Sequence, residues 1–158
     1  MSTTTQAGTS SVKTLYEGAE CFQVAGDTIA SAWPDLEPFV FKWVTVSDGK
    51  LQPQDVFKLI SEGLMTALVI HTEGEIHIVA LTEFVQYPQA KTLRLVGFAG
   101  KNPLLTLKFM PAVEDWARAN GCDELETFTT HRAKALMERM GFEDAPFVYM
   151  RKCLFNLH

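Results

Sequence analysis

Apolar and polar residues alternate along some stretches of this chain and recur every three or four positions along others. The two periods divide it into strands and helices. The division is sharpest after Ala67. Ala67-Leu-Val-Ile-His71, the polar Thr-Glu-Gly-Glu and then Ile76 to Val85 predict a β-hairpin. A second turn at Tyr87-Pro88-Gln89-Ala90 leads into Thr92 to Phe98, which makes the middle of the chain an antiparallel meander. The helix after it carries Phe109, Val113, Trp116 and Ala117 on one face, with Glu114 and Arg118 paired on its wet side. Pro111 lies inside that pattern and predicts a kink or a division into two helices. Asn120-Gly121 ends the helix, and Leu125 to Thr129 forms a short strand. If that strand runs parallel to the one before the helix, the three elements make a right-handed crossover. Ala133, Leu136, Met137 and Met140 form the buried stripe of a last helix, with Thr130 as its N-cap and His131 in its first turn. Phe147 to Cys153 is the closing strand.

The first half is less regular. Glu20 to Val24 is a short strand, and Thr28 to Trp33 and Asp35 to about Val44 are helical pieces interrupted by Pro34. Phe39 to Val46 is rich in strand formers, so propensity alone makes it a strand. Ser47-Asp48-Gly49 is a turn. Pro53 opens a helix that ends near Glu62, with Gly63 as its stop. Met1 to about Ser11 holds Ser, Thr, Gln, Gly and Ala without periodicity, and such a segment cannot offset its ordering entropy. Residues 1–16 are therefore set apart as an N-terminal arm, frayed or ordered on a partner subunit, and 17–158 as one domain. There are no internal repeats.

Composition narrows the classes. A chain of 158 residues, 47% apolar and 21% charged, is an ordinary single globular domain. A net charge of -5 without any run of Lys and Arg argues against a nucleic-acid partner. No apolar run approaches the roughly 20 residues that span a bilayer. The N-terminus lacks a basic segment followed by an apolar one, so no secretory signal is expected and the protein is placed in the cytoplasm. Cys21, Cys122 and Cys153 are widely spaced, with no Cys-x-x-Cys, and read as free thiols in a reducing compartment. Trp33, Trp43 and Trp116 lack basic companions and are core residues rather than base-stacking ones. His71 and His77 flank a hairpin turn together with Glu73 and Glu75. A two-residue turn at Glu73-Gly74 pairs His71 with Ile76 and His77 with Ile70, which points the imidazoles to opposite faces, so no metal site is expected.

The run Ala117-Arg-Ala-Asn-Gly121-Cys122-Asp123, then Thr130 to Met140 and Gly141-Phe142-Glu143, resembles the back half of a GNAT (acyl-CoA N-acyltransferase) domain. With Thr82-Glu83, Gln86-Tyr87-Pro88, Lys91, Glu114-x-Trp116-Ala117-Arg118 and Arg139-Met140-Gly141-Phe142, the chain from Trp33 to Leu154 resembles GNAT-like proteins encoded by tailed bacteriophages. The resemblance implies an α+β fold: one domain with a mixed, mostly antiparallel sheet flanked by helices. It also implies that Phe39 to Val46 is helical, against its propensity. In phages such proteins tend to be encoded among virion genes, so the resemblance implies a role in the virion or its assembly, in host cytoplasm or particle, with protein partners reached through the N-terminal arm. This part is association, not physics.

Arg94-Leu-Val-Gly97-Phe-Ala99 formally fits the R/Q-x-x-G-x-G/A signature by which that family cradles the CoA pyrophosphate, and Gly100 and Lys101 follow it. Such a cradle needs backbone N–H groups at the start of a helix, where the dipole favours anions. Here Arg94 alternates inside a strand, and helical signal begins only near Pro103. Glu83 shares an apolar strand face with Leu81 and Val85 and is the candidate general base. Centring the turn on Pro88-Gln89 sets Glu83 opposite Arg94, Phe84 opposite Leu93 and Leu81 opposite Val96, which predicts a cross-strand ion pair. The family's general acid is a tyrosine four residues before the final Gly-Phe. That position is Met137, which cannot donate a proton. Two functions follow. One is a catalytically degenerate GNAT scaffold acting as a virion or assembly component, needing no cofactor. The other is an N-acetyltransferase using acetyl-CoA.

Overall fold

The computed structural model describes residues 19–155, apart from 46, 48 and 103. The expected N-terminal arm falls outside the described residues. Five strands form one sheet in chain order: β1 (Glu20–Val24), β2 (Thr66–Thr72), β3 (Glu75–Gln86), β4 (Lys91–Gly100) and β5 (Glu124–Thr127). The first four are antiparallel, and β5 runs parallel to β4. Helices α1 (Thr28–Val44) and α2 (Pro53–Ser61) precede β2, α3 (Leu104–Ala119) is the β4–β5 crossover, and a 3-10 turn (His131–Ala133) leads into α4 (Lys134–Arg139). The class is the expected one, α+β with a mixed sheet flanked by helices.

Each face of the sheet buries its own helices. Ile29, Leu36 and Val40 of α1 and Val56 and Ile60 of α2 pack on Ala67, Val69, Val79 and Leu81. Leu105 and Phe109 of α3 pack on Cys21, Leu68, Ile70 and Ile78 of the other face. Met110 joins Met137, Met140 and Leu95 in a third cluster below α4.

Four local expectations are corrected. Pro34 does not divide the first helical region, because α1 is continuous and holds both Pro34 and Pro38. A proline inside a helix costs about 3 kcal/mol. Burying Ile29, Leu36, Val40 and Val44, at roughly 1.5–3 kcal/mol each, outweighs it. The same burial overrides the strand propensity of Phe39 to Val44, and α3 likewise runs unbroken past Pro111. Second, β3 and β4 hold Glu83 opposite Arg94 and Phe84 opposite Leu93 as expected, but a bulge after that point sets Leu81 against Gly97, not Val96. Third, a bulge at Ile70–His71 sets Ile70 against Ile78, leaving His77 as the extra residue. His71 still meets Phe22 and Glu20, whereas His77 bonds Thr72 at 2.7 Å. Fourth, Phe147 to Cys153 forms no strand; residues 142–155 are irregular, and Phe147 to Phe155 is exposed. Strand propensity expresses packing on a pleated surface, and among the described residues no neighbouring strand supplies one there.

Candidate active site

The site begins where β4 and β5 part. Their parallel ladder runs only from Thr92–Glu124 to Leu95–Thr127. β4 continues to Gly100, while the other arm leaves through Phe128 and Thr129 toward α4. The hydroxyl of Thr127 donates to the Leu95 carbonyl at 3.0 Å and closes the base of this fork. The β3–β4 bulge falls at the same level, since Thr82 faces Leu95 and Leu81 faces Gly97 with Val96 extra. A bulge adds local twist, which turns the end of β4 away from β5. Beyond Leu95 the β5-facing edge of β4 has no strand partner among the described residues.

One arm of the fork holds the candidate cofactor residues. Arg94, Gly97, Ala99 and Gly100 are not in a loop; all lie in β4, and the last three face Leu81, Val79 and Ile78 of β3. At about 3.3 Å per residue, Arg94 sits roughly 20 Å along the strand from Gly100. A Cβ on Gly97 would overlap the Trp43 indole, and one on Gly100 would overlap the His77 carbonyl. Packing against α1 and β3 therefore accounts for both glycines. Lys101 follows the strand, its N–H donating to the His77 carbonyl at 2.8 Å. Its ammonium lies 3.2 Å from Glu75, with both side chains more than half exposed. A surface pair of this kind is worth little, so Lys101 can turn to another anion. The start of α3, with its positive dipole end, comes three residues later.

A polar cluster occupies the base of the fork on the α1 face. Arg94 donates to Glu83 Oε2 at 3.0 Å and to Glu126 Oε2 at 2.7 Å. Its other terminal nitrogen donates to the Tyr87 hydroxyl at 3.3 Å, and that hydroxyl lies 3.2 Å from Glu126. Burial opposes the charge on Arg94, but hydrogen bonds with Glu126, Tyr87 and Glu83 and the attraction of Glu126 outweigh it and raise the pKa. Phe128 covers the guanidinium at 5.6 Å, and Tyr149 meets Phe128 edge-on at 5.8 Å. Both oxygens of Glu126 are engaged by Tyr87 or Arg94, whereas Glu83 commits only Oε2 among the described residues.

Sequence reasoning missed Glu126 and Tyr87 as members of this cluster. Only the β4–β5 register brings Glu126 to Arg94, and a crossover helix leaves that register free. Met137 is 2% exposed and packs with Leu95, Met110 and Met140, so no proton donor stands at that position. Behind the fork, Leu95, Gly97, Phe98, Thr106, Met110 and Met140 line part of an apolar cavity of about 30 Å³.

No protein-family model matches this chain, and no curated protein matches it in sequence. Its similarity is to solved acetyltransferases. One is the aminoglycoside acetyltransferase meta-AAC0020 from an uncultured soil metagenomic sample, with a TM-score of 0.68, 12% identity, and coverage of 90% of this chain and 100% of that one. Another is ribosomal-protein-alanine N-acetyltransferase from Brucella melitensis biovar Abortus 2308, with a TM-score of 0.67, 8% identity, and coverage of 85% and 99%. AAC(6')-Iy, solved with the bisubstrate analog CoA-S-monomethyl-acetylneamine, gives a TM-score of 0.59 and 15% identity over 85% and 99%. The chain thus has the fold of the GNAT acetyltransferases. No helix among the described residues is long and apolar enough to cross a membrane.

Proposed function

We propose that the protein is an acyl-CoA-dependent N-acyltransferase that works by positioning, without a dedicated acid. The observation that carries this reading is the fork. A strand edge that has no strand partner beyond Leu95 among the described residues offers backbone groups to an extended amide-bearing ligand, and it leads to Lys101 and the start of α3. Acyl-CoA, when bound, supplies the activated acyl group. The pantetheine amides would lie along Val96 to Gly100 of β4, with Lys101 and the start of α3 toward the phosphates.

The chain's own groups account for the rest. Glu83 Oε1 takes the proton released by an attacking amine, and Arg94 holds Glu83 in place through Oε2 at 3.0 Å. Glu83 and Glu126 around one guanidinium leave the cluster net negative, which draws in the acceptor as its ammonium; that group gives one proton to water before the neutral amine attacks. Because Met137 cannot donate, the leaving thiolate takes its proton from water, and rate comes from holding the reactants together. Calorimetry with acetyl-CoA is the test: micromolar binding is expected, and no heat at millimolar ligand sinks the reading. Glu83→Gln should then keep binding and lose turnover.

Burial of Met137 where the family's acid stands favours a second reading: a catalytically degenerate scaffold serving as a phage virion or assembly component, with the N-terminal arm among its contacts. It predicts silent calorimetry and the chain's presence in mass spectra of purified particles.

A further inference from the structure

The apolar cavity behind the fork touches both of its arms. Leu95 and Gly97 of β4 stand on one side, and Met140, at the end of α4, stands on the chain that leaves through β5. Met110 of α3 and Ala80 of β3 enclose it further in. It lies on the α3 face of the sheet, opposite the Arg94–Glu83 cluster of the α1 face. One wall is Thr106, whose hydroxyl is buried without a hydrogen-bond partner among the described residues. A buried polar group left unpaired is rare and calls for a physical reason. Water does not supply one. A held water needs two to four polar partners, and besides Thr106 the described walls offer only the weakly polar Cys21 thiol.

We infer that this cavity receives the chain of an acyl group of about four carbons, carrying an oxygen that pairs with Thr106, as in a 3-hydroxybutyryl thioester. The inference rests on the acyl-CoA reading. Under that reading the pantetheine follows Val96 to Gly100, so the acyl end falls at Leu95, a wall of the cavity. Size sets the chain length. A volume of about 30 Å³ has room for roughly two to three water-sized groups, enough for two carbons and one oxygen beyond an acetyl group. Placement selects the occupant, since the amine comes to Glu83 from the α1 face and leaves the α3 face to the acyl chain. Thr106 sets the polarity. A plain butyryl chain fills the space but leaves the hydroxyl unpaired, whereas an oxygen on the third carbon fills it and pairs. A carboxylate at the chain's end does not suit, because no cation is among the described walls to offset its burial.

The test is calorimetry of the full chain with acetyl-, butyryl- and 3-hydroxybutyryl-CoA. Butyryl-CoA should bind about tenfold tighter than acetyl-CoA, for two buried methylenes. 3-Hydroxybutyryl-CoA should bind about fivefold tighter again, for one hydrogen bond. Thr106→Val keeps the shape of the wall and removes the hydroxyl, so it should bring the hydroxylated compound down to the level of butyryl-CoA. Ala80→Leu should fill the cavity and abolish the preference for chain length; if it does not fold, Thr106→Val still decides. Acetyl-CoA binding as tightly as both longer compounds overturns the inference and leaves the acyl-CoA reading standing. Equal affinity of the two four-carbon compounds, or a preference between them that survives Thr106→Val, overturns it as well. Binding of none of the three overturns both.

Discussion

The indole of Trp43 lies against Gly97, so closely that any Cβ on Gly97 would overlap it. The contact joins α1 to β4 at the bulge where the fork opens, so the position of that helix and the parting of β4 from β5 are one packing problem. Gly97→Ala should lower stability by about 2 kcal/mol through overpacking. In a Trp43→Leu background the same change should cost much less. Urea unfolding of the four-member cycle measures the coupling, and additive effects would contradict the contact.

Arg94 bridges two carboxylates, whereas among the described residues Glu83 meets one polar partner, so the two residues should respond differently to removal. Glu83→Gln is expected to cost about 0.5–1 kcal/mol, because the pair is partly exposed. Arg94→Met should cost more, about 1–3 kcal/mol, since it leaves Glu83 and Glu126 facing each other without a counter-charge. Thermal unfolding of both variants ranks them, and the reverse order would refute the bridge.

Cys21 is sealed below α3, and burial pushes its thiol from an ordinary 9.0 up to about 12. Between those values the folded chain keeps the proton that the unfolded chain loses. Below pH 9.0 the group leaves stability unchanged; above it stability falls as the pH climbs toward 12. Cys21→Ala should flatten that alkaline decline. In native protein iodoacetamide should label exposed Cys153 first and Cys21 only on unfolding. Mass spectrometry of timed labelling checks the order.

Met137 fills space in the cluster with Leu95, Met110 and Met140. Met137→Leu conserves volume and should cost less than about 1.5 kcal/mol. Turnover, once measurable, should be unchanged, because the position moves no proton. A large loss of turnover without loss of stability would assign it a role that its chemistry does not suggest.

The sequence by itself determined much of the framework. Period-two alternation gave β2 to β4, and Pro88-Gln89 fixed the turn that sets Glu83 against Arg94. Pro53 and Gly63 bounded α2, because these residues act through their own dihedral angles and hydrogen bonds. Met137 in place of a tyrosine was equally plain, since it is a matter of residue identity. Only the tertiary structure decided the rest. α1 runs through Pro34 and Pro38 because four buried side chains outweigh two local defects. The bulge at Val96 lies beside Gly97 where it packs beneath Trp43, a contact across more than fifty positions of chain. Glu126 reaches Arg94 only through the parallel register of β4 and β5, which a sixteen-residue helix separates and no local pattern encodes. Phe147 to Cys153, strand-like in composition, forms no strand because a strand is made by its neighbour, and the neighbour's position belongs to the fold.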